Sequence, residues 1–370
     1  MPSISFTGDI AFSKYFKDHW DKEFLDEEIK DFLNNSDHVV ANVECPLTDT
    51  AISSDRAINH FSNPKAGEWF KGISADVWNL SNNHILDCGE TGMLDTIKIA
   101  AENGAVTVGA GSNVDEASKY VTFDCEGGIG IFAVTYKRGE FIRATENNPG
   151  CILFDETKRI KQVISEIKKK HKWCIVIAHG GDEFSNLALP YMRKLYKSFL
   201  KMGADVIIGH HPHVVQNYEK VGDKIIFYSL GNFVFDTDYQ RKHKYSEYGV
   251  LVKLKIDNDN LSWDYIATKV NREKTTVEKS EAPVIFRDIN PKDYKSLWPL
   301  GAKSFMEEFE ISQKFPLPET RDFNQYNWFK RRCEKVGFKN ALCLYWGRFV
   351  SKFGMWKRAN KELKEYIEQK

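Results

Sequence analysis

No segment of this 370-residue chain offers about eighteen uninterrupted apolar residues, so no membrane-spanning helix is expected. A leader is not indicated either. Met1 to Thr7 is too short for a signal peptide or an anchor, because Asp9 already reads as a functional residue. Net charge is lacking: 52 basic residues balance 52 acidic ones, so no overall field favours nucleic acid, and no such partner is expected. The seven cysteines (Cys45, Cys88, Cys125, Cys151, Cys174, Cys333 and Cys343) are odd in number, scattered and without CxxC spacing. They read as reduced thiols of a cytoplasmic protein. Cys45 and Cys88 lie close in sequence to the polar residues below, as soft ligands or as small apolar fillers, the second being favoured. Neither a P-loop nor GxGxxG is present, Gly109-Ala110-Gly111 reads as a plain turn, and no internal repeat is visible. What remains is ample for a core. At 42% hydrophobic and 13% aromatic residues, global disorder is excluded, and the length suits one large domain with or without an appendage.

The most informative stretch is GADVIIGHHPH, from Gly203 to His213. Val206-Ile207-Ile208 is β-branched and apolar without alternation, which suits a strand covered on both faces. The spacing predicts a strand from Asp205 to Ile208 that stops at Gly209 and delivers His210, His211 and His213 to its carboxyl end. Pro212 has no N–H to donate and ends the ladder. Open α/β sheets place ligand sites just beyond such strand ends. Three imidazoles there would repel one another if charged, so they serve best as neutral metal ligands.

Four other predicted strands end in the same way. Ser3 to Thr7 leads into Gly8-Asp9, Val39 to Val43 into Glu44, Asp76 to Leu80 into Ser81-Asn82-Asn83-His84, and Trp173 to Ala178 into His179-Gly180-Gly181. One polar residue after a strand is usually a turn or cap. Five apolar strands that each deliver a carboxylate, amide or imidazole point to a shared site.

Between them, helices are expected over Asp26 to Asn35, Pro64 to Lys71, Met93 to Glu102, Asp155 to Lys170 and Pro190 to Met202. Asp49 to Asn63 reads as a polar loop, and Gly139 to Gly150, which lacks periodicity, as a mobile loop near the site. Gly249 to Ile256 and Leu261 to Lys269, joined by Asp257-Asn258-Asp259-Asn260, form a hairpin signal. Strand–helix alternation gives way to hairpins, so the fold class is α/β. Residues 1–280 are expected to form one domain and 281–370 a helical, basic extension. From Arg321 to Lys370, thirteen lysines and arginines face five acidic residues, a net of about plus eight, with Trp328, Tyr345, Trp346 and Trp356 interleaved. The aromatics either pack on the main domain or make a surface for an anionic glycan, lipid headgroup or protein partner, which includes peripheral membrane contact.

FTGDI, ANVECPLT, SNNHILDCGETGMLDT, AHGGDEF, GADVIIGHHPHVVQ and YSLGNFVFD, in that order over residues 3–236, resemble the CapA-type capsule and poly-γ-glutamate biosynthesis proteins, a branch of the calcineurin-like metallophosphoesterases. The resemblance implies a metallophosphatase-like four-layer αββα sandwich holding one or two divalent transition-metal ions, manganese, zinc or iron. It implies Asp9, Glu44, Asn83, His179, His211 and His213 as metal ligands, with Glu44 where a bridging aspartate would stand. It also makes His84 a leaving-group acid, with Asp87 orienting it, and leaves His210 without a role. One departure matters: Ala11 stands where the superfamily carries a histidine, so one metal would have fewer protein ligands, unless Glu44 binds bidentately. The implied activity is a metal-dependent hydrolase acting on a phosphoester or an anionic-polymer linkage, beside capsule-synthesis proteins. The alternative is a non-catalytic binding or assembly factor for an anionic polymer. The family's usual membrane anchor is not found, so a cytoplasmic or membrane-peripheral location is expected.

Overall fold

The computed structural model describes residues 2–50, 60–124, 127–136, 142–256 and 259–314. The first sheet opens with parallel strands β1 (Ser3–Ile10), β2 (His38–Val43), β3 (Ala75–Asn79) and β4 (Val106–Val108). The second contains β5 (Val121–Phe123), β6 (Ile129–Thr135), β7 (Trp173–His179), β8 (Val206–His210), β9 (Tyr218–Val221) and β10 (Lys224–Phe227). The chain then returns to the first sheet through β11 (Asn232–Val234), β12 (Tyr248–Ile256), β13 (Leu261–Asn271) and β14 (Thr276–Ser280). Sheet orders are β14-β13-β12-β1-β2-β3-β4, with β11 also on β1, and β5-β6-β7-β8-β10-β9. The expected hairpin is present, β12 and β13 pairing antiparallel from Tyr248↔Lys269 to Ile256↔Leu261, with residues 257–258 outside the described residues.

Three apolar clusters define four layers. Ile4, Phe6, Val40 and Val77 of the first sheet meet Ile131, Ile175 and Ile208 of the second, so the sheets pack face to face. The first sheet's other face holds α1 (Glu27–Asn34), α2 (Ala66–Gly72) and α3 (Gly89–Glu102) through Ile29, Leu33, Phe70 and Met93. The second sheet's other face holds α5 (Thr157–Lys170) and α6 (Pro190–Met202), and the short α4 (Val114–Ala117) joins the same cluster. Helix α5 shows how sequence fixes this. Ile160, Val163, Ile164 and Ile167 recur at helical spacing and are buried, while its lysines face out. The architecture is therefore an αββα sandwich.

Two strands run further than their apolar stretches predict. β1 continues through Gly8-Asp9 to Ile10 because Asp9 and Ile10 pair with both β2 and β11. β8 does not stop at Gly209. The Gly209 carbonyl accepts from Leu230 N–H at 3.1 Å and the His210 carbonyl from Gly180 N–H at 2.9 Å, so the ladder carries on. The Gly139 to Gly150 loop is only partly described. Within residues 142–150, Gly150 exchanges backbone hydrogen bonds with Gly111 and Ile142 is fully buried. Residues 137–141 and Asp55-Arg56 lie outside the described residues.

After β14, Tyr218 N–H donates to the Arg287 carbonyl and Ile289 N–H to the Tyr218 carbonyl, which ties residues 287–289 to the second sheet. Helix α7 (Pro291–Lys314) follows, with Tyr294 and Trp298 packed on Leu187 and Leu189. The basic, aromatic stretch from Arg321 to Lys370 lies outside the described residues.

Candidate metal centre

Each sheet contributes strand ends to one buried cluster. Asp9 is the penultimate residue of β1, and its carboxylate is fully buried. Asn79 Nδ2 donates to Asn42 Oδ1 at 2.7 Å, and Asn42 Nδ2 donates to Asp9 Oδ1 at 2.8 Å, an amide relay that fixes the carboxylate from beneath. From the second sheet, His210 Nδ1 lies 3.2 Å from Asp9 Oδ1 and His213 Nδ1 3.2 Å from Asp9 Oδ2. Burial alone would raise the Asp9 pKa. The hydrogen bonds and charges of His210 and His213 outweigh it, so the carboxyl is held well below its usual range.

Glu44, directly after β2, is also fully buried and lies between imidazoles, with Oε1 3.5 Å from His179 Nε2 and 3.6 Å from His213 Nε2. Asn83 Oδ1 is 2.8 Å from His179 Nε2. His179 closes β7, and burial first, then the neighbouring His211, drives its pKa well below the ordinary imidazole value. It is therefore neutral, the form in which imidazole binds metal. The ligand-capable atoms of Asp9, Glu44 and His213 lie within 4.8 Å of one another, and so do those of Glu44, His179 and His211. The structure thus brings together Asp9, Glu44, Asn83, His179, His211 and His213, with Glu44 common to both triads. Buried carboxylates facing imidazole nitrogens and an amide oxygen form a donor set that suits a divalent transition metal.

The turn after β8 is strained to achieve this. His211 and His213 both have positive φ, 96° and 56°, flanking Pro212, an arrangement costing roughly 1–3 kcal/mol for each such residue. Tyr136 packs against His211 with ring centroids 4.5 Å apart, and Asn232 Oδ1 lies 3.0 Å from His213 Nδ1. Both imidazoles are oriented by neighbours.

His84 and Asp87 form a pair, Nδ1 to Oδ2 at 2.7 Å, both buried. The same Asp87 oxygen accepts the His60 backbone N–H at 2.8 Å. Ring contacts lead from His84 to His60 at 4.6 Å, on to Phe235 at 5.1 Å, and from Phe235 to His213 at 5.1 Å. Ala11 lies in a small apolar cluster with Cys45 and Phe235. Cys45 and Cys88 belong to neither triad that shares Glu44, and burial pushes the Cys45 thiol up to about 12 and that of Cys88 to about 11.

The family described as bacterial capsule synthesis protein PGA_cap matches residues 3–237. The chain belongs to that family. It is 33% identical over 246 residues to the PGA biosynthesis protein CapA of Bacillus subtilis (strain 168), covering 65% of this chain and 64% of that protein. It is 31% identical over 253 residues to the capsule biosynthesis protein CapA of Bacillus anthracis, covering 65% of this chain and 61% of that one. The match therefore spans less than two thirds of either relative. Among solved structures it is similar to the NAD nucleotidase of Haemophilus influenzae (12% identity, TM-score 0.43, 85% of this chain and 60% of that one). It is also similar to the 5'-nucleotidase of Candida albicans (12% identity, TM-score 0.43, 84% and 58%). At that level neither the reactions nor the ligands of those enzymes transfer to this chain, and the four-layer arrangement stands on its own topology and core.

The PGA_cap motifs also hold residues that strand-end reasoning missed. Asn42 sits two places before Glu44, Asn232 lies in YSLGNFVFD, and Glu183 lies four residues after His179. Their motif membership was the available signal. His60 had none, since its loop shows no pattern.

Proposed function

We propose that this PGA_cap chain is a metal-dependent hydrolase acting on a phosphoester or anionic-polymer linkage during capsule or extracellular-polymer synthesis. The observation that carries the reading is the pair of buried triads sharing Glu44. A divalent ion held by Asp9, Glu44, Asn83, His179, His211 and His213 would supply Lewis acidity and an activated water. The chain's own residues do the rest. Asn42 and His210 fix Asp9, and Asn232 orients His213. Asp87 accepts a hydrogen bond from His84 Nδ1–H, which would stabilise an imidazolium and leave Nε2–H to protonate a departing oxygen. Anionic polymer or phosphoester is the proposed substrate, capsule-synthesis proteins the proposed partners, and manganese, zinc or iron the proposed metal. No helix among the described residues is long and apolar enough to cross a membrane. A cytoplasmic or membrane-peripheral site of action is part of the same proposal.

A second reading rests on Ala11. Where the superfamily resemblance calls for a histidine, the chain has an apolar contact with Cys45 and Phe235. This favours a centre that grips an anionic polymer without cleaving it. Turnover of a model phosphodiester with manganese and with zinc, measured beside metal content, separates the two. His84→Ala is expected to lower turnover by about 10²–10⁴-fold with metal content and fold intact. Metal-loaded wild type that cleaves neither phosphoesters nor anionic polymers would leave the binding reading standing.

A further inference from the structure

We propose that Glu183 is a third carboxylate ligand of the centre, closing it on its outer side through His211 and His213. The inference rests on the metal reading above and extends it to a residue that strand-end logic does not reach.

Glu183 Oε1 lies 4.0 Å from His211 Nε2, and the ligand-capable atoms of Glu183, His211 and His213 fall within 4.8 Å of one another. This triad takes one histidine from each inner triad. Glu44 meets those same two histidines from the fully buried side, whereas the Glu183 side chain is 38% exposed. The His211/His213 pair thus has two glutamates within reach, one fully buried and one partly exposed.

Glu183 is not an idle surface carboxylate, because its neighbours on both sides are pinned. Asp182 accepts the Tyr191 hydroxyl at 2.8 Å. Phe184 N–H donates to the Pro212 carbonyl at 2.8 Å, and its ring stacks on His243 at 3.7 Å and 4°. The Pro212 link ties the Glu183 loop directly to the turn that carries both histidines. Phe184 adopts a positive φ of 57° to make this contact, a strained backbone that points to a required geometry. As the partly exposed member, Glu183 is the ligand that an incoming anionic oxygen would displace.

The test uses full-length protein stripped with chelator, then titrated calorimetrically with Mn²⁺ or Zn²⁺, and with Co²⁺ while visible d–d bands are recorded. Glu183→Ala should weaken metal binding by at least about tenfold and alter the Co²⁺ bands, with the metal-free melting temperature unchanged. Glu183→Gln, which keeps one oxygen donor, should fall between Glu183→Ala and wild type. Wild-type affinity in both variants overturns the proposal, as does weaker binding with an unaltered Co²⁺ spectrum, which would mark a field effect without ligation. Wild type that takes up none of the three metals would instead bring down the metal reading itself.

Discussion

Glu44 shows what a single side chain must do here. It is fully buried, and its carboxylate is flanked by His179 and His213 at about the distance of neighbouring ligands. A carboxylate so placed is costly unless positive charge compensates it. Protons on imidazole can provide that, as the Asp9–His213 pair illustrates. Burial lowers the His213 pKa, but the hydrogen bond and charge of Asp9 outweigh it and leave the pKa raised. A divalent ion provides compensation for both carboxylates at once. His211→Ala and His213→Ala should therefore each lower the transition metal bound per purified protein molecule, measured by elemental analysis. Unchanged stoichiometry in both would remove these two histidines from the ligand set.

At the scale of elements, the decisive piece is β8 and the turn that follows. Gly209 has no room for a side chain, since a Cβ there would lie 2.1 Å from the Tyr228 carbonyl oxygen. The glycine lets the backbone after β10 cross close to β8, so that His210 reaches Asp9 while Leu230 is tied back to Gly209. Gly209→Ala is expected to cost about 1–3 kcal/mol through overpacking, and to weaken metal binding because the histidine turn shifts with the strand. Urea denaturation of the metal-free protein beside metal titration reads both effects. A wild-type urea midpoint would contradict the close crossing.

For the whole molecule, the two sheets are held by their common core, whereas α7 is held by a separate apolar patch. Trp298, Tyr294, Ile289, Leu187 and Leu189 form that patch, and the Tyr294 hydroxyl donates to the Ala188 carbonyl at 2.8 Å. Arg193 adds to it, its guanidinium lying 3.6 Å from the Tyr294 ring centroid while it is paired with Glu219. The helix thus covers the segment that leads from the Glu183 loop into α6. Trp298→Ala should cost about 3–5 kcal/mol, the usual range for emptying a buried tryptophan site. The urea midpoint checks this, and a change below about 1 kcal/mol would mean that α7 contributes little to the fold.

The sequence by itself determined the polar residues at the ends of apolar strands, because burial on both faces demands continuous hydrophobic runs and the first polar residue marks where such a run stops. It also determined α5, whose periodicity of isoleucine and valine is unambiguous. Where strands continue past the apolar run, as at Asp9 and His210, pairing with β11 and with the residues around Gly180 and Leu230 decided the boundary, and no local pattern encodes that pairing. Only the tertiary structure could bring Asn42 to Asp9, Asn232 to His213, and Glu183 within reach of His211 and His213. Their contacts join chain segments from different strands and both sheets, and a side chain's distance from another segment depends on how the sheets stack. The chemistry of the centre is thus written in residue types, while its completeness is decided by packing.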